Sequence, residues 1–457
     1  MDIVIVKAKL LLRSKLKLPP SPPKLPIIGN LHQIGTLPHR SFRTLSTKYG
    51  PLMLLHIGHT PTLVVSSAEL AEEMVRNHDI VFSNRPITTP VKILLYGCKD
   101  FGFAPYSEYW RQARKICVLH LLSLKRVQSF QFVREEEVLT LINKIRGRCL
   151  DASSINMTEM LLGTSHNIIS RCVIGLKGDE EGGSGARFGE VTRRFMHQIS
   201  EFNVGDMFPS LGWLDVLSGF IGRLKETAKE MDEFLDKVIE EHMALKSYDE
   251  KDFDMFVAGT ESVATATEWT MAKLMRQPNI MKKAQDEVRK VVGKKPKIDA
   301  EDIHRMDYLK CIIKETLRLH PPAPLMSPRQ TSTSVKLGDY HIPPKTTVFV
   351  NVWAIQRDPR LWEMPDVFYP ERFENVEFDY KNPKSFQFIP FGIGRRTCPG
   401  VSSGLIAVEY VIANLLYWFD WKLPPRISAQ NLDITEAFGL GVCMKFPLCL
   451  LPMPYRP

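Results

Sequence analysis

Apolar residues recur with helical spacing over most of the chain. The pattern predicts helices at 130–145, 224–245, 306–319 and 404–418, where apolar side chains return on one helix face. Segments 52–66 and 348–352 differ, because they contain alternating or β-branched apolar runs that favour strands. We therefore expect a mainly α-helical protein with a minor β component, and 457 residues can bury an extensive core.

The first 30 residues lie outside this helical pattern. In residues 1–18, lysine and arginine interrupt short apolar runs, and no uncharged stretch reaches the roughly 20 residues that span a bilayer. A basic amphipathic segment of this kind can lie on a membrane surface. Five prolines follow within residues 19–30, which predicts a stiff hinge ahead of one large folded unit at 31–457.

Composition and charge narrow the classes of function. Sixty Lys and Arg against 51 Asp and Glu give a net charge of +9, which suits an acidic protein partner or an anionic membrane surface. No basic block is interleaved with aromatic residues, so we do not expect nucleic-acid binding. The eight cysteines form no CxxC pair, which favours a reducing compartment.

Residues 178–189 are rich in glycine and acidic residues and are predicted to form a surface loop. This segment contains neither a GxGxxG nor a Walker sequence, the patterns that cradle nucleotide phosphates. Electrons for any redox chemistry would then have to come from a separate protein.

The strongest chemical signal is the string PFGIGRRTCPG at 390–400. Its only cysteine, Cys398, stands among three glycines and precedes the predicted helix at 404–418. Small residues let backbone N–H groups approach the sulfur, and the helix adds its positive N-terminal end, so both favour a thiolate. A thiolate can be the axial ligand of a haem iron, whereas a lone cysteine without such a string is more often a buried structural residue.

The whole string resembles the signature of the cytochrome P450 family, with Phe391, Gly394, Arg396, Cys398 and Gly400 at the matching positions. The resemblance extends from residue 19 to the C-terminus and includes features of the plant A-type members. It implies the P450 fold, a haem b cofactor, and Cys398 as the metal ligand. It also implies that the other four residues belong to the cofactor site.

Two further arginines and a tryptophan join this predicted site. Trp110 and Arg114 are four residues apart, so they share a face of a helix that could also be merely amphipathic. Arginine offers a planar fork that suits carboxylates. The resemblance makes Trp110, Arg114, Arg329 and Arg396 partners of the haem propionates.

Glu315 and Arg318 lie at positions i and i+3 of the predicted helix at 306–319, where an ion pair can form. Taken alone, such a pair is usually a solvated salt bridge. The resemblance implies a buried structural network in which Arg372 is the third member.

The string AGTES at 258–262 carries the predicted catalytic residues, Glu261 and Ser262. A small Ala-Gly pair can open a notch in a helix, and an acid with a hydroxyl can hold a water relay that delivers protons to oxygen. The family usually has threonine where this chain has Ser262. The alternative for Glu261 is an ordinary charge on a helix face.

The resemblance implies a monooxygenase that inserts one atom of O2 into a small lipophilic substrate of plant specialised metabolism. NADPH-cytochrome P450 reductase would supply the electrons. The protein would lie on the cytosolic face of the endoplasmic reticulum, with peripheral membrane contact because no full span is predicted. One alternative is an enzyme that rearranges a peroxide or dehydrates its substrate without O2 or reductase.

Residues 246–257 mark the main departure from the family. Related proteins place a few dozen residues between the helix at 224–245 and the AGTES string, whereas only twelve remain here. The first half of the central helix is therefore predicted to be missing, with about two turns ahead of Ala258. A haem-binding homologue with impaired catalysis is accordingly the second alternative.

Overall fold

The computed structural model describes residues 17–149, 153–173, 184–244, 253–380, 383–439 and 441–456. Helices dominate these ranges: α1 Pro38–Tyr49, α2 Ala68–His78, α3 Thr89–Leu94, α4 Glu108–Ile116, α5 Leu124–Ser129, α6 Gln131–Cys149, α7 Met157–Val173, α8 Ser184–Ile199, α9 Val204–Met207, α10 Trp213–Leu217, α11 Phe220–Ala244, α12 Phe253–Arg276, α13 Pro278–Val292, α14 Ala300–His304, α15 Asp307–Leu319, α16 Val352–Ile355 and α17 Val401–Trp418.

The strands are short: β1 Leu52–Ile57, β2 Thr60–Val65, β3 Ile155–Asn156, β4 Arg329–Gln330, β5 Val335–Leu337, β6 Tyr340–Ile342, β7 Thr347–Val350, β8 Phe419–Lys422, β9 Glu436–Phe438, β10 Val442–Met444 and β11 Cys449–Pro454. The largest sheet has the order β1-β2-β7-β4, in which only the β2–β7 pair is parallel. The order β3-β11-β8 forms a second sheet, and β5–β6 and β9–β10 are separate antiparallel pairs.

The prediction of a mainly helical protein with a minor β component is confirmed. The predicted helices correspond to α6, α11, α15 and α17, with ends that shift by a few residues. The prediction of a loop at 178–189 is wrong for residues 184–189, because α8 begins at Ser184, while residues 178–183 lie outside the described residues. Glycine does not prevent a helix there because apolar residues further along α8 pack against α11.

Both ends of the predicted N-terminal hinge contact the folded body. The carbonyl of Pro20 accepts a hydrogen bond from Leu54 N at 2.9 Å, and Asn30 N donates to the His56 carbonyl at 2.6 Å. Residues 1–16 lie outside the described residues, as do residues 246–252 of the predicted shortening. The hinge and the membrane-surface segment therefore stay predictions.

The core is built where α12, α15 and α17 meet. Trp269 of α12 and Tyr417 of α17 are among its largest fully buried side chains. Among the described residues, α17 is the one helix long and apolar enough to cross a membrane, and most of it is buried inside the protein. Its composition is explained by this central place in the core.

A buried ion pair joins α15 to the chain that follows it. Glu315 and Arg318 are both fully buried, and their carboxylate and guanidinium groups meet at 2.7 and 2.8 Å. Arg372 adds a contact of 3.2 Å from its Nε to Glu315 Oε1. Arg318 also donates to the carbonyls of Gln356 and Pro365. The three predicted members therefore come together, and the remaining donors of Arg318 hold the loop after α16.

Replacing Glu315 by Gln should destabilise the fold strongly, because it leaves the Arg318 charge buried without its carboxylate. We expect a loss of about 3 kcal/mol or more in the free energy of unfolding, measured by urea titration. The control is Glu72→Gln, which breaks the exposed Glu72–Arg76 pair at 2.7 Å. That change should cost less than about 1 kcal/mol, and equal losses in the two variants would contradict a structural role for the buried pair.

Candidate functional site

A cavity of about 340 Å³ lies inside the helical body. Its wall is formed by α8, α12, α15, the start of α17 and the loop 390–400, with contributions from 100–103 and 322–329. The volume falls within the range of small-molecule sites in proteins. Among the residues that border it are Glu261, Ser262, Ala266, Ile313, Leu317 and Cys398.

The loop that carries Cys398 turns sharply below this cavity. Cys398 N donates to the Phe391 carbonyl at 2.8 Å, which closes the loop. Gly394 has a φ of +64°, and a Cβ there would lie 2.6 Å from Asp79 Oδ1. Only glycine fits this conformation and this approach. Gly394 thus shapes the loop without bordering the cavity, whereas Phe391 and Gly400 border it.

Two opposing effects act on the Cys398 thiol. Burial raises its pKa above the usual value, while the N–H of Gly400 and the charge of Arg114 lower it. Burial is the largest effect. The donors predicted from the sequence are present, but they do not by themselves make the thiolate the favoured form. A bound metal cation would do so, because coordination deprotonates a thiol.

Four buried or partly buried arginines gather on one side of the cavity. We call them the cation cluster: Arg85, Arg114, Arg329 and Arg396. Burial lowers the pKa of each, to about 9 for Arg396 and about 10 for Arg329. Repulsion from other arginines of the cluster adds to the effect at Arg85, Arg329 and Arg396. Two nearby carboxylates, Asp79 and Asp100, offset only part of this charge. The wall therefore keeps an excess of positive charge in a poorly solvated place.

Backbone carbonyls hold the cation cluster in position. Arg396 Nε donates to the Ser83 carbonyl at 2.8 Å, and Arg85 Nη1 donates to the Ser327 carbonyl at 2.6 Å. Arg329 Nη1 is buried and makes no hydrogen bond of ordinary length among the described residues, and Asp79 Oδ1 lies 3.6 Å from it. This donor set is fixed, cationic and incompletely satisfied. It fits a ligand with carboxylate groups.

Trp110 stands behind the arginines. Its Nε1 donates to the Phe101 carbonyl at 2.8 Å, and it does not border the cavity. The guanidinium carbons of Arg396 and Arg114 lie 4.2 and 5.6 Å from its ring centre, which are cation–π distances. The indole therefore supports two members of the cation cluster, and the contact of Trp110 with a haem propionate stays a prediction.

Glu261 and Ser262 lie on the α12 side of the same cavity. Burial raises the pKa of Glu261, and the nearby His197 on α8 opposes this shift. Gly259 lets α12 approach α7 closely, since a Cβ there would lie 2.9 Å from Ile169 Cδ1. A partly buried acid that holds its proton to a higher pH than usual, next to a hydroxyl, is suited to proton transfer.

The structure thus brings together most of the predicted site. Cavity-bordering residues are Cys398, Arg114, Arg329, Arg396, Phe391, Gly400, Glu261 and Ser262, while Trp110 and Gly394 lie just behind the wall. Sequence reasoning missed Arg85, which precedes Pro86 and has no fixed spacing to any motif. Its place beside Arg329 depends on a tertiary contact with the Ser327 carbonyl.

Comparison with known proteins decides the family. The profile described as "Cytochrome P450" matches residues 19–254 and 250–445, which together cover most of the chain. The chain belongs to the cytochrome P450 family. The family is one of monooxygenases, and membership implies a haem, O2 as co-substrate and electrons from a redox partner.

Several plant P450s are similar over nearly their whole length. A phenylacetaldehyde oxime monooxygenase of Prunus mume is 49% identical, with 97% of this chain and 90% of the relative covered. A desmethylyatein synthase of Sinopodophyllum hexandrum is 45% identical, with 96% and 94% covered. A zebrafish cytochrome P450 solved with abiraterone shares the fold, with a TM-score of 0.76, 24% identity, and 93% of this chain and 100% of that chain covered.

The residues present fit the haem that the family implies. Cys398 offers a sulfur ligand at the cavity, and the cation cluster offers unneutralised charge for carboxylates. Removing the charge of Arg396 should therefore weaken haem binding. We expect Arg396→Gln to raise the haem dissociation constant about 10- to 100-fold, measured by haem transfer to apomyoglobin.

The matched control for this change is the neighbouring residue, Arg395→Gln. The Arg395 side chain is 47% exposed and faces Asp79 at 3.6 Å, away from the cavity lining. Its loss should change haem affinity by less than about threefold, because exposed pairs contribute little. Equal effects of the two variants would mean that general charge, and not the cavity wall, controls haem retention.

Proposed function

We propose that this P450 inserts one atom of O2 into a small lipophilic substrate of plant specialised metabolism. One observation carries the proposal. A single cavity is bordered by a cysteine sulfur, a cationic wall and an acid–hydroxyl pair, and the remaining wall is mostly apolar. The names of the plant relatives, which include an oxime monooxygenase, support the same chemistry. Apolar side chains on this wall include Leu95, Phe103, Met196, Ile199, Ile313 and Leu317.

Haem b would be held between Cys398 and the cation cluster. When bound, it supplies the iron at which O2 is reduced and split, and a thiolate ligand favours that splitting. Cys398 contributes the sulfur, and Gly400 N–H donates to it. The arginines bind the carboxylates and exclude water from that side. NADPH electrons would reach the site through a separate reductase, whose acidic surface suits the net charge of +9.

Glu261 and Ser262 would carry protons to the reacting oxygen. Burial raises the pKa of the Glu261 carboxyl, which favours its role as a proton donor. Ser262 supplies a hydroxyl that can pass the proton on. Serine lacks the methyl group of threonine, so its hydroxyl has more rotamer freedom.

The first test is the spectrum of the purified protein, reduced with dithionite and exposed to CO. We expect a strongly red-shifted Soret band that Cys398→Ser abolishes, because a thiolate ligand produces the shift. The control is Cys443→Ser, since Cys443 is an exposed cysteine and does not border the cavity. A band that survives in the Cys398 variant would contradict the proposed ligand.

Turnover is tested with the reductase, NADPH and a panel of small lipophilic compounds. Glu261→Gln should retain the CO band and slow oxygen insertion about 100-fold, because it removes a general acid. An unchanged rate would exclude Glu261 from proton delivery. Oxidation that proceeds without reductase would overturn the monooxygenase proposal and favour a peroxide rearrangement.

A second candidate function is a haem-binding homologue with impaired catalysis. Helix α12 begins at Phe253, and Ala258 is only five residues further on. Two comparisons also support an internal shortening at 246–257. The alignment with the Prunus mume relative extends over 477 positions, more than the 457 residues of the chain, and the family profile matches in two stretches that meet at 250–254.

One experiment distinguishes the two candidate functions. The segment of the Prunus mume relative that has no counterpart here is inserted between residues 250 and 254. If catalysis is impaired, both proteins give the CO band, but only the lengthened protein oxidises substrate with reductase. If the natural chain oxidises the same compounds at a similar rate, the impaired-homologue proposal fails.

We further propose peripheral contact with the cytosolic face of the endoplasmic reticulum. Exposed apolar side chains cluster where the N-terminal segment, the β1–β2 turn and α10 meet. Gly58 N donates to the Ile28 carbonyl at 3.2 Å and His59 N to the Met207 carbonyl at 3.0 Å. Met207 is the last residue of α9, which packs on α10, so these parts are adjacent. We call this surface the apolar tip: Ile27, Leu211, Trp213, Val216 and Leu217.

Replacing Trp213 and Leu217 together by serine should weaken membrane binding. Their side chains are 56% and 75% exposed, so the change costs the fold little but removes apolar area that lipid would cover. Flotation with phosphatidylcholine–phosphatidylserine vesicles should fall at least about 10-fold. Phe446→Ser, at a residue 50% exposed in another part of the chain, is the control, and equal flotation of all three proteins would refute the proposal.

A further inference from the structure

The β9–β10 hairpin brings a backbone segment into the cavity wall. Its strands pair through Phe438–Val442 and Glu436–Met444, and Gly441 at the turn borders the cavity. Pro322 borders it as well, and a Cβ on Gly441 would lie 3.4 Å from the Pro322 carbonyl oxygen. The turn therefore packs closely on the chain after α15.

Val442, the residue after Gly441, is fixed from two directions. Its N–H donates to the Pro322 carbonyl at 2.8 Å. Its carbonyl accepts a hydrogen bond from Trp269 Nε1 at 3.0 Å, and this bond is buried. Since Trp269 lies on α12, the indole links the central helix to the hairpin turn.

Trp269 is itself held rigidly, although it does not border the cavity. It is fully buried, and its ring stacks on His320 with 3.9 Å between ring centres and 9° between planes. Burial and the surrounding cations lower the pKa of His320, so the stacked ring is neutral. One helical turn before Trp269, Ala266 borders the cavity.

The base of the hairpin has separate anchors. Glu436 accepts hydrogen bonds from His39 at 3.0 Å and Arg40 at 2.7 Å, both on α1. At the other strand, Met444 N lies 3.5 Å from Glu268 Oε2. Loss of the Trp269 bond would therefore leave the hairpin attached at its base and release mainly the end that carries Gly441.

We propose that Trp269 is a positioning residue that sets the shape of the cavity wall at Gly441 and thereby selects ligands by size. The inference rests on the proposed haem site, because the ligand must lie between the iron and this wall. A small ligand that needs only the iron does not depend on the wall. A larger one that fills the cavity does.

The test uses two probes that bind ferric haem through the same imidazole nitrogen. Imidazole fills little of the cavity, whereas 1-phenylimidazole adds a ring that must pack on its wall. Trp269→Phe keeps an aromatic ring over His320 but leaves the Val442 carbonyl without its donor. We expect it to weaken 1-phenylimidazole about fivefold, read from the Soret shift, and to leave imidazole binding within about twofold.

Trp362→Phe is the matched control. This indole is also buried, but its Nε1 has no hydrogen-bond partner among the described residues. In Trp362→Phe, both probes should bind with the same affinity as in the natural protein. An unchanged ratio of the two affinities in Trp269→Phe, or an equal change in Trp362→Phe, would overturn the proposal.

Failure of the underlying haem site gives a different result, because the natural protein would then show no Soret shift with imidazole. If only Trp269→Phe fails to bind imidazole, Gly441→Ala tests the wall directly. A Cβ there would lie in van der Waals contact with the Pro322 carbonyl oxygen and adds volume at the wall, so selective weakening of 1-phenylimidazole supports the proposal. Equal effects on both probes contradict it.

Discussion

The buried pair of Glu315 and Arg318 is the constraint on which the rest of the architecture depends. Two fully buried charges are tolerable only when each faces the other and their remaining hydrogen-bonding atoms are satisfied. Arg318 meets this condition by donating to carbonyls of the loop after α16. The neighbouring residues of α15, Ile313 and Leu317, border the cavity. The contacts that neutralise this buried pair therefore also hold one wall of the site and the chain that leads toward Cys398.

The cation cluster has the opposite character. Its guanidinium groups are held by carbonyls, but their charge is only partly offset by Asp79 and Asp100. Burying uncompensated charge is unfavourable, so an anionic ligand that neutralises it stabilises the folded state. A haem with two carboxylates meets this requirement, and its iron meets the requirement of the Cys398 sulfur. Haem binding at this wall would therefore also stabilise this part of the protein, because it neutralises buried positive charge.

The features predicted from the sequence are those with local causes. Glu315 and Arg318 are three residues apart on one helix, so the helix itself brings their side chains together. The string around Cys398 likewise contains Gly394, the glycine that its turn requires. Arg85 was not predicted, because it reaches the Pro328 carbonyl from 243 residues away and only the fold brings them together. Spacing placed Trp110 and Arg114 on one helix face, but it did not reveal that the Trp110 N–H donates to the Phe101 carbonyl. Sequence spacing identifies which residues share a face, but not which partner satisfies them.

We propose that haem binding and catalysis are separable in this chain, because the predicted proton relay lies on α12 whereas the predicted haem contacts lie on the Cys398 loop and in the cation cluster. Glu261 lies eight residues after Phe253, the first described residue of the helix, about 12 Å along its axis. The relay therefore lies close to this end and to the predicted shortening at 246–257. Trp269 lies about 24 Å from that end, where the helix is packed on His320 and the hairpin. A shortening ahead of α12 therefore acts first on proton delivery, while the Cys398 loop, the cation cluster and the wall at Gly441 keep their own anchors.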